Sequence, residues 1–174
     1  MSGVDGLRTP EPESTARRRE RDSWTAELLD LEAGRIGVPV LDRDGIRELL
    51  DTSPRIAIVG ASPSPMRPSH GVLVDLQGLG YDVVPVNPAA DEVAGLRCYP
   101  TLRAAVDATG PVDIVDVFRL PPACPEHARE AVEVGAHCLW LQLGIASREA
   151  GRIAHEGGLT VVMNRCLAVE AGRR

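Results

Sequence analysis

The stretch RIAIVGASPSPMRPSHG, residues 55–71, begins with the aliphatic residues of a short strand and continues through a proline-rich loop to a helix start. Gly60 ends the strand and permits a sharp turn close to a ligand. A helix start presents unpaired backbone N–H groups and the positive end of a dipole, which together favour an anion. The stretch therefore predicts a phosphate-binding loop, although it lacks the later glycines of a dinucleotide fold.

The order of strand, loop and helix recurs along the rest of the chain. Strands that alternate with helices, without a hairpin signal, predict βαβ units and a parallel sheet. With right-handed crossovers, this is an α/β fold built on a Rossmann-like, doubly wound, five-stranded parallel sheet. The predicted strands are residues 55–60, 81–87, 112–118, 138–144 and 159–164. The predicted helices between them are residues 69–80, with Ser69 as N-cap, 101–110, 125–136 and 147–158.

The chain before the first strand divides into segments of different composition. Residues 1–22 are polar with interleaved charges of both signs, and they predict a disordered tail. Residues 23–41 predict an N-terminal helix, from Ser23 to near Gly34, and a linker. A second N-terminal helix follows within residues 42–53. The domain proper is predicted to span residues 42–170.

Composition limits the class of protein. Hydrophobic residues make up 44% of the 174 residues but aromatic residues only 3%, so the core must be aliphatic, as in a parallel sheet covered by helices. The net charge of −6, without a long basic patch, argues against nucleic acid as a partner. All 19 basic residues are arginine, which excludes a Walker lysine or a Schiff base and suggests a GC-rich bacterial genome.

Cysteine usage and hydropathy predict a cytoplasmic protein. The apolar runs are far shorter than the ~18 residues that a membrane-spanning helix needs, and no signal peptide is evident. The cysteines lack a CxxC arrangement and predict reduced thiols; they are Cys98, Cys124, Cys138 and Cys166.

A parallel sheet gathers the carboxyl ends of its strands at one crevice, where ligands bind. Here Ser62 adds a hydroxyl donor and Arg67 can pair with a pyrophosphate as a bidentate donor. The simpler alternative is that Gly60 only makes a turn and Arg67 is a solvated loop residue. The segments at the strand ends are GAS (60–62), PVNP (85–88), VFRLPP (117–122), LQLG (141–144) and NRC (164–166).

The end of the second strand argues against a nicotinamide dinucleotide. Such a site uses a carboxylate there to bind the ribose diol. This chain instead has Asn87 and Pro88, and the nearest acid, Asp91, lies farther along.

No catalytic apparatus is evident in the pattern. His70 lacks an acid placed to orient it, and nothing demands a lowered pKa for Cys166. The histidines and cysteines show no metal-ligand spacing. The sequence thus predicts a binding crevice without a reaction centre.

Short segments from about Asp42 to Glu170 form an ordered series: IAIVGAS, RPSHGV, GYDVVPVNP, CYPTL, VDIVDVFR, LWLQLGI and GLTVVMNRCL. In this order they resemble the small stand-alone CoA-binding proteins, which are similar to the CoA-binding domain of the succinyl-CoA synthetase α subunit. The resemblance implies coenzyme A or an acyl-CoA as ligand. The synthetases also use a phosphohistidine in a second domain; residues 1–174 contain no counterpart, so ligase activity is not implied.

The resemblance also implies which residues contact the ligand. Gly60, Ala61 and Ser62 match the loop that cradles the CoA phosphates. His70 stands where many relatives carry an aromatic residue, which removes a stacking role there. The remaining implied binding residues are Arg67 and Ser69 before and within the first helix, Val86, Asn87 and Pro88 near the ADP moiety, Phe118 and Arg119 beside the adenine or phosphates, and Gln142 and Gly144 in the fourth loop.

The sequence therefore favours a protein that binds coenzyme A or an acyl-CoA without catalysis of its own. One alternative is an enzyme that acts on a CoA thioester through Cys166 or His70. Another is an NAD(P)-binding sensor module. The predicted partner is a small molecule, with neither nucleic acid nor membrane, and a homo-oligomer remains open.

Overall fold

The structure is a computed structural model and describes residues 14–173. Its centre is a five-stranded sheet formed by β1 (Arg55–Val59), β2 (Asp82–Val86), β5 (Ile114–Val117), β6 (Cys138–Leu141) and β7 (Thr160–Val162). A separate hairpin contains β3 (Glu92–Val93) and β4 (Leu96–Arg97). The large sheet is parallel throughout, in the order β2-β1-β5-β6-β7, so the predicted Rossmann-like fold is confirmed.

Helices cover both faces of this sheet. One face, with Ile56, Ile58 and Trp140, packs in one apolar cluster with α2, α3 and α7, while the opposite face packs with α4, α5 and α6. The chain reverses direction across the sheet between β1 and β5, which creates the crevice typical of this topology. The helices are α1 (Thr15–Glu32), α2 (Arg43–Thr52), α3 (Pro68–Gly78), α4 (Leu102–Thr109), α5 (Cys124–Glu133), α6 (Arg148–Glu156) and α7 (Leu167–Ala171), with a 3₁₀ turn at Pro121–Ala123.

Helix α1 begins earlier than predicted. It starts at Thr15 instead of Ser23, because Ser14 accepts a hydrogen bond from the Arg17 backbone N–H at 3.4 Å and so caps the helix. The prediction of a disordered tail is therefore wrong for residues 14–22, and residues 1–13 lie outside the described residues. Charges of both signs are compatible with a solvated helix as well as with disorder.

Helix α1 is attached to the domain by a polar clamp. The Glu27 carboxylate accepts the backbone N–H of Arg148, the first residue of α6, at 2.7 Å. The Arg148 guanidinium pairs with Asp30 at 2.8 Å. Leu28 and Leu31 pack against the apolar cluster beside α6. A carboxylate at a helix start is favoured by the helix dipole, so this clamp fixes the position of α1.

Two local predictions need correction. Helix α3 starts at Pro68, with Arg67 as its N-cap, so Ser69 lies within the first turn and is not the cap. Proline suits the first helical position because it has no N–H to satisfy. The β3–β4 hairpin was not predicted; its turn places Ala94 and Gly95 at positive φ, without the usual Asn-Gly or Asp-Gly signal.

Both edges of the large sheet are covered by further chain. At the β2 edge, Tyr99 bridges to Val86, and its N–H donates to the Pro85 carbonyl at 3.0 Å. At the β7 edge, the Leu41 N–H donates to the Val161 carbonyl at 2.9 Å. Within residues 14–173, the helices lack the combination of length and apolar character needed to cross a membrane.

Candidate functional site

A cavity of about 880 Å³ opens at the carboxyl ends of the sheet strands, within the size range of small-molecule sites. The loops after β1, β2, β5 and β6 meet there with the start of α3 and with Trp24 of α1. Its wall contains these predicted site residues: Gly60, Ser62, Arg67, Ser69, Asn87, Phe118, Arg119, Gln142 and Gly144.

The other predicted site residues lie outside the cavity wall. Ala61 is buried, and its carbonyl accepts the Asn87 side-chain N–H at 2.6 Å. The Val86 carbonyl accepts the Gly60 N–H at 2.9 Å. Pro88 is exposed beyond the end of β2. Ala61 and Val86 thus brace the loop, and their contact with a ligand stays a prediction, as it does for Pro88.

Gly60 brings the β1 loop close to the β5 loop. Its φ of +89° lies in the region that favours glycine. A Cβ there would lie 2.9 Å from the Phe118 carbonyl oxygen and 3.1 Å from Cδ of Arg119. The Arg119 side chain therefore lies across Gly60, and the glycine is required both by backbone conformation and by space.

The loop after Gly60 is held by its own hydrogen bonds. His70 donates through Nδ1–H to the Ser62 carbonyl at 3.0 Å. The Ser62 hydroxyl accepts the Ser64 N–H at 3.2 Å, and the Ser64 carbonyl accepts the Arg67 N–H at 3.0 Å. In the structure His70 thus has a loop-bracing contact, and the hydrogen bonds of the loop fix its shape.

The start of α3 faces the cavity through Pro68 and Ser69. Arg67, the N-cap, makes no side-chain capping bond, so the helix start lacks the usual neutralising side-chain oxygen. The positive end of the dipole and the exposed Arg67 guanidinium then lie on the same side of the cavity. This arrangement is typical of an anion site.

Asn87 stands where a nicotinamide site would have a carboxylate. Both ends of its amide are engaged, since Nδ2 donates to the Ala61 carbonyl at 2.6 Å and Oδ1 accepts the Ala89 N–H at 2.9 Å. Asn87 therefore ties the β1 and β2 loops together.

A buried carboxyl lies beneath the cavity. Asp116 of β5 is 0% exposed, and its Oδ2 accepts from Nε2 of Gln142 at 2.9 Å, while Oδ1 has no partner among the described residues. Burial raises the pKa of Asp116 to about 8, against the smaller opposing effect of the Gln142 hydrogen bond. At neutral pH Asp116 is therefore mostly protonated and orients the Gln142 amide at the cavity wall.

The cavity also has apolar lining that sequence reasoning did not identify. Trp24, Leu120, Pro121, Leu143 and Ile145 contribute to the wall. The scarcity of aromatic residues could have drawn attention to Trp24, but nothing local predicts that α1 reaches the strand ends.

Three of the four cysteines have thiols of raised pKa away from the cavity, and the fourth lies in the cavity wall. Burial raises the pKa of Cys124 and of Cys138 to about 12, and it raises the pKa of Cys98 as well. Cys166, before α7, is half-buried and lines the cavity. Of the four thiols, only Cys166 is placed to meet a bound ligand.

Similar proteins share this fold over most of the chain. The uncharacterized protein YneT of Bacillus subtilis is 41% identical over 124 residues, which cover 71% of this chain and 90% of YneT. A solved structure of a hypothetical protein from Pyrococcus horikoshii superposes with a TM-score of 0.72 at 41% identity, covering 76% of this chain and 92% of the other.

A longer relative shares only this domain. An ADP-forming acetate–CoA ligase of Archaeoglobus fulgidus is 28% identical over 122 residues, or 66% of this chain but 18% of the ligase. The family model described as a CoA binding domain matches residues 54–172. The chain therefore belongs to the CoA-binding domain family.

Proposed function

We propose that the protein binds coenzyme A or an acyl-CoA in the cavity at the strand ends, without catalysis of its own. The observation that carries the proposal is the placement of the α3 start and Arg67 in the cavity wall, beside Arg119, which lies across Gly60. Two arginines and a helix start suit a ligand with a pyrophosphate and a further phosphate.

The β2 end supports coenzyme A over a nicotinamide dinucleotide. The 3′-phosphate of coenzyme A would be repelled by a carboxylate at this position, and the chain has the neutral Asn87 instead. The Asn87 amide is fixed by its bonds to Ala61 and Ala89, and it lacks the two negatively charged oxygens with which a carboxylate binds a ribose diol. An NAD(P) site is therefore the weaker alternative.

Cys166 favours a second candidate, an enzyme that acts on the thioester of a bound acyl-CoA. Its side chain lines the same cavity. The described wall offers Cys166 no histidine or carboxylate that contacts it, so binding alone remains the preferred function. Thioester turnover by the wild type that is lost in Cys166→Ser would support this alternative.

Replacing Arg67 by alanine is expected to weaken CoA binding by about 10- to 100-fold, because a charge-assisted phosphate contact is lost. Isothermal titration of the wild type and the variant with CoA, NAD and NADP measures the change in affinity. Arg103→Ala is the matched control, since Arg103 is an exposed arginine of α4 that pairs with Asp107 and lies outside the cavity wall. Absence of CoA binding by the wild type, or tighter binding of NAD, would contradict the proposed function.

A further inference from the structure

The cavity wall carries both polar and apolar residues, and we group part of it into two halves by the loops and helices that supply them. The polar half comprises Gly60, Ser62, Arg67, Ser69, Asn87 and Arg119. The apolar half comprises Trp24, Leu120, Pro121, Leu143 and Ile145. Charged groups of a ligand are favoured at the polar half, and apolar groups at the apolar half.

Strand order separates the two halves in space. In the order β2-β1-β5-β6-β7, the polar half is built mainly at the ends of β1 and β2. The apolar half comes from the loops after β5 and β6 and from Trp24 of α1. Gln142 and Gly144 flank Leu143 in the β6 loop, and Val72 of α3 lies beside the polar half. Neighbouring strands lie about 4.8 Å apart, so the two strand spacings from β1 to β6 separate the phosphate loop from Leu143 by about 10 Å. Arg119 follows β5 in sequence, yet its side chain reaches back over Gly60 and thus belongs to the polar half.

The apolar half leaves large side chains in water. Leu120 is 66% exposed and Leu143 is 68% exposed, and both lie on loops that border the cavity. Single exposed apolar residues are common, but a group of them that continues an anion site is typical of a ligand groove.

We propose that the apolar half receives the acyl group of an acyl-CoA, so that the protein prefers uncharged aliphatic acyl-CoAs to free coenzyme A. The inference rests on the proposed function. An acyl-CoA carries its phosphates at one end and its acyl group at the end of the pantetheine arm, which matches the two halves. The cations of the described cavity wall, Arg67 and Arg119, lie in the polar half, so a carboxylated acyl group finds no ion pair in the apolar half.

Trp24 comes from a part of the chain outside the family match. The match covers residues 54–172, whereas α1 ends at Glu32. The clamp of Glu27 and Asp30 on Arg148 holds α1 in place. Helix α1 thus adds an apolar wall to the CoA-binding domain, and we assign to Trp24 a role in selecting the acyl group.

A titration series on the full chain tests the preference. Free CoA, acetyl-CoA, butanoyl-CoA, hexanoyl-CoA and succinyl-CoA are compared by isothermal titration. A fully buried methylene tightens binding by about fourfold, so burial of two of the hexanoyl methylenes already makes hexanoyl-CoA bind more than about tenfold more tightly than CoA. Succinyl-CoA should bind no more tightly than acetyl-CoA. Equal affinity for CoA and hexanoyl-CoA, or an equal gain for succinyl-CoA, overturns the inference.

A pair of variants tests the role of Trp24 in selecting the acyl group. In Trp24→Ala the ratio of the Kd for CoA to the Kd for hexanoyl-CoA should fall at least about threefold, because apolar contact is lost. Leu29→Ala is the matched control, since Leu29 lies on the same helix, is 57% exposed and is outside the cavity wall; its ratio should equal that of the wild type. An unchanged ratio in Trp24→Ala overturns the role of Trp24.

Fluorescence supplies a second readout. The chain has two tryptophans, and Trp140 is fully buried while Trp24 is half-buried at the cavity. Hexanoyl-CoA should change the emission of the wild type and of Trp140→Phe but not that of Trp24→Phe. If CoA itself fails to bind, the proposed function fails too; if CoA binds without an acyl preference, only this inference fails.

Discussion

Asp116→Asn should gain stability relative to the wild type as pH rises from about 4 to about 8. The pKa of Asp116 is raised from its ordinary 3.8 to about 8, mainly by burial. Between these values the folded wild type keeps the proton while the unfolded chain loses it, so its free energy of unfolding falls as pH rises. Asparagine does not titrate, and the difference should reach at most about 6 kcal/mol by pH 8.

Urea unfolding at several pH values between 4 and 9 measures this difference. The asparagine keeps an acceptor for Gln142, and any cost of its own amide shifts the curve equally at every pH. Asp107→Asn, at an exposed position of α4, is the control and should follow the wild type. A difference between Asp116→Asn and wild type that stays constant from pH 4 to pH 8 would show that Asp116 titrates normally.

Gly60→Ala should destabilise the fold by about 2–4 kcal/mol and weaken CoA binding more than tenfold. The added Cβ meets the φ of +89° and the Phe118 carbonyl oxygen at 2.9 Å, and this backbone atom has little freedom to move. The β1 and β5 loops must separate, which displaces Arg119 from the phosphate loop.

Thermal unfolding and CoA titration together measure the effect of Gly60→Ala. Gly78→Ala provides the matched control, because a Cβ at this helical position meets nothing within 4 Å and alanine favours a helix. Gly78→Ala should therefore be neutral or slightly stabilising. Equal stability and equal affinity of the two alanine variants would show that Gly60 is not required at this position.

The sheet was predictable because its strands are short aliphatic runs followed by turn residues. Each such run is a local signal, and the strand order follows from the crossover rules. The β3–β4 hairpin could not be predicted because each of its strands has only two residues and its turn uses Ala94. Helix α7 could not be predicted because its five residues, Leu167–Ala171, are too few for a helical period to be evident.

The polar half of the cavity was predictable for a topological reason, since a parallel sheet brings its carboxyl ends together. The apolar half was not, because Trp24 reaches the cavity through contacts of α1 with distant parts of the chain, such as that of Glu27 with Arg148, 121 residues farther along. Nor did the sequence predict how Asp116 is held. Its partner Gln142 and its complete burial depend on the packing of two neighbouring strands.

The covered edges of the sheet bear on how copies of the protein meet. An open edge strand is a template for pairing with another chain and thus for aggregation. Here Tyr99 occupies the edge of β2, and Leu41 blocks the edge of β7, a strand of only three residues. Continuation of the sheet into a second molecule is therefore disfavoured at these contacts, which favours helical faces or loops as the surfaces of any self-association.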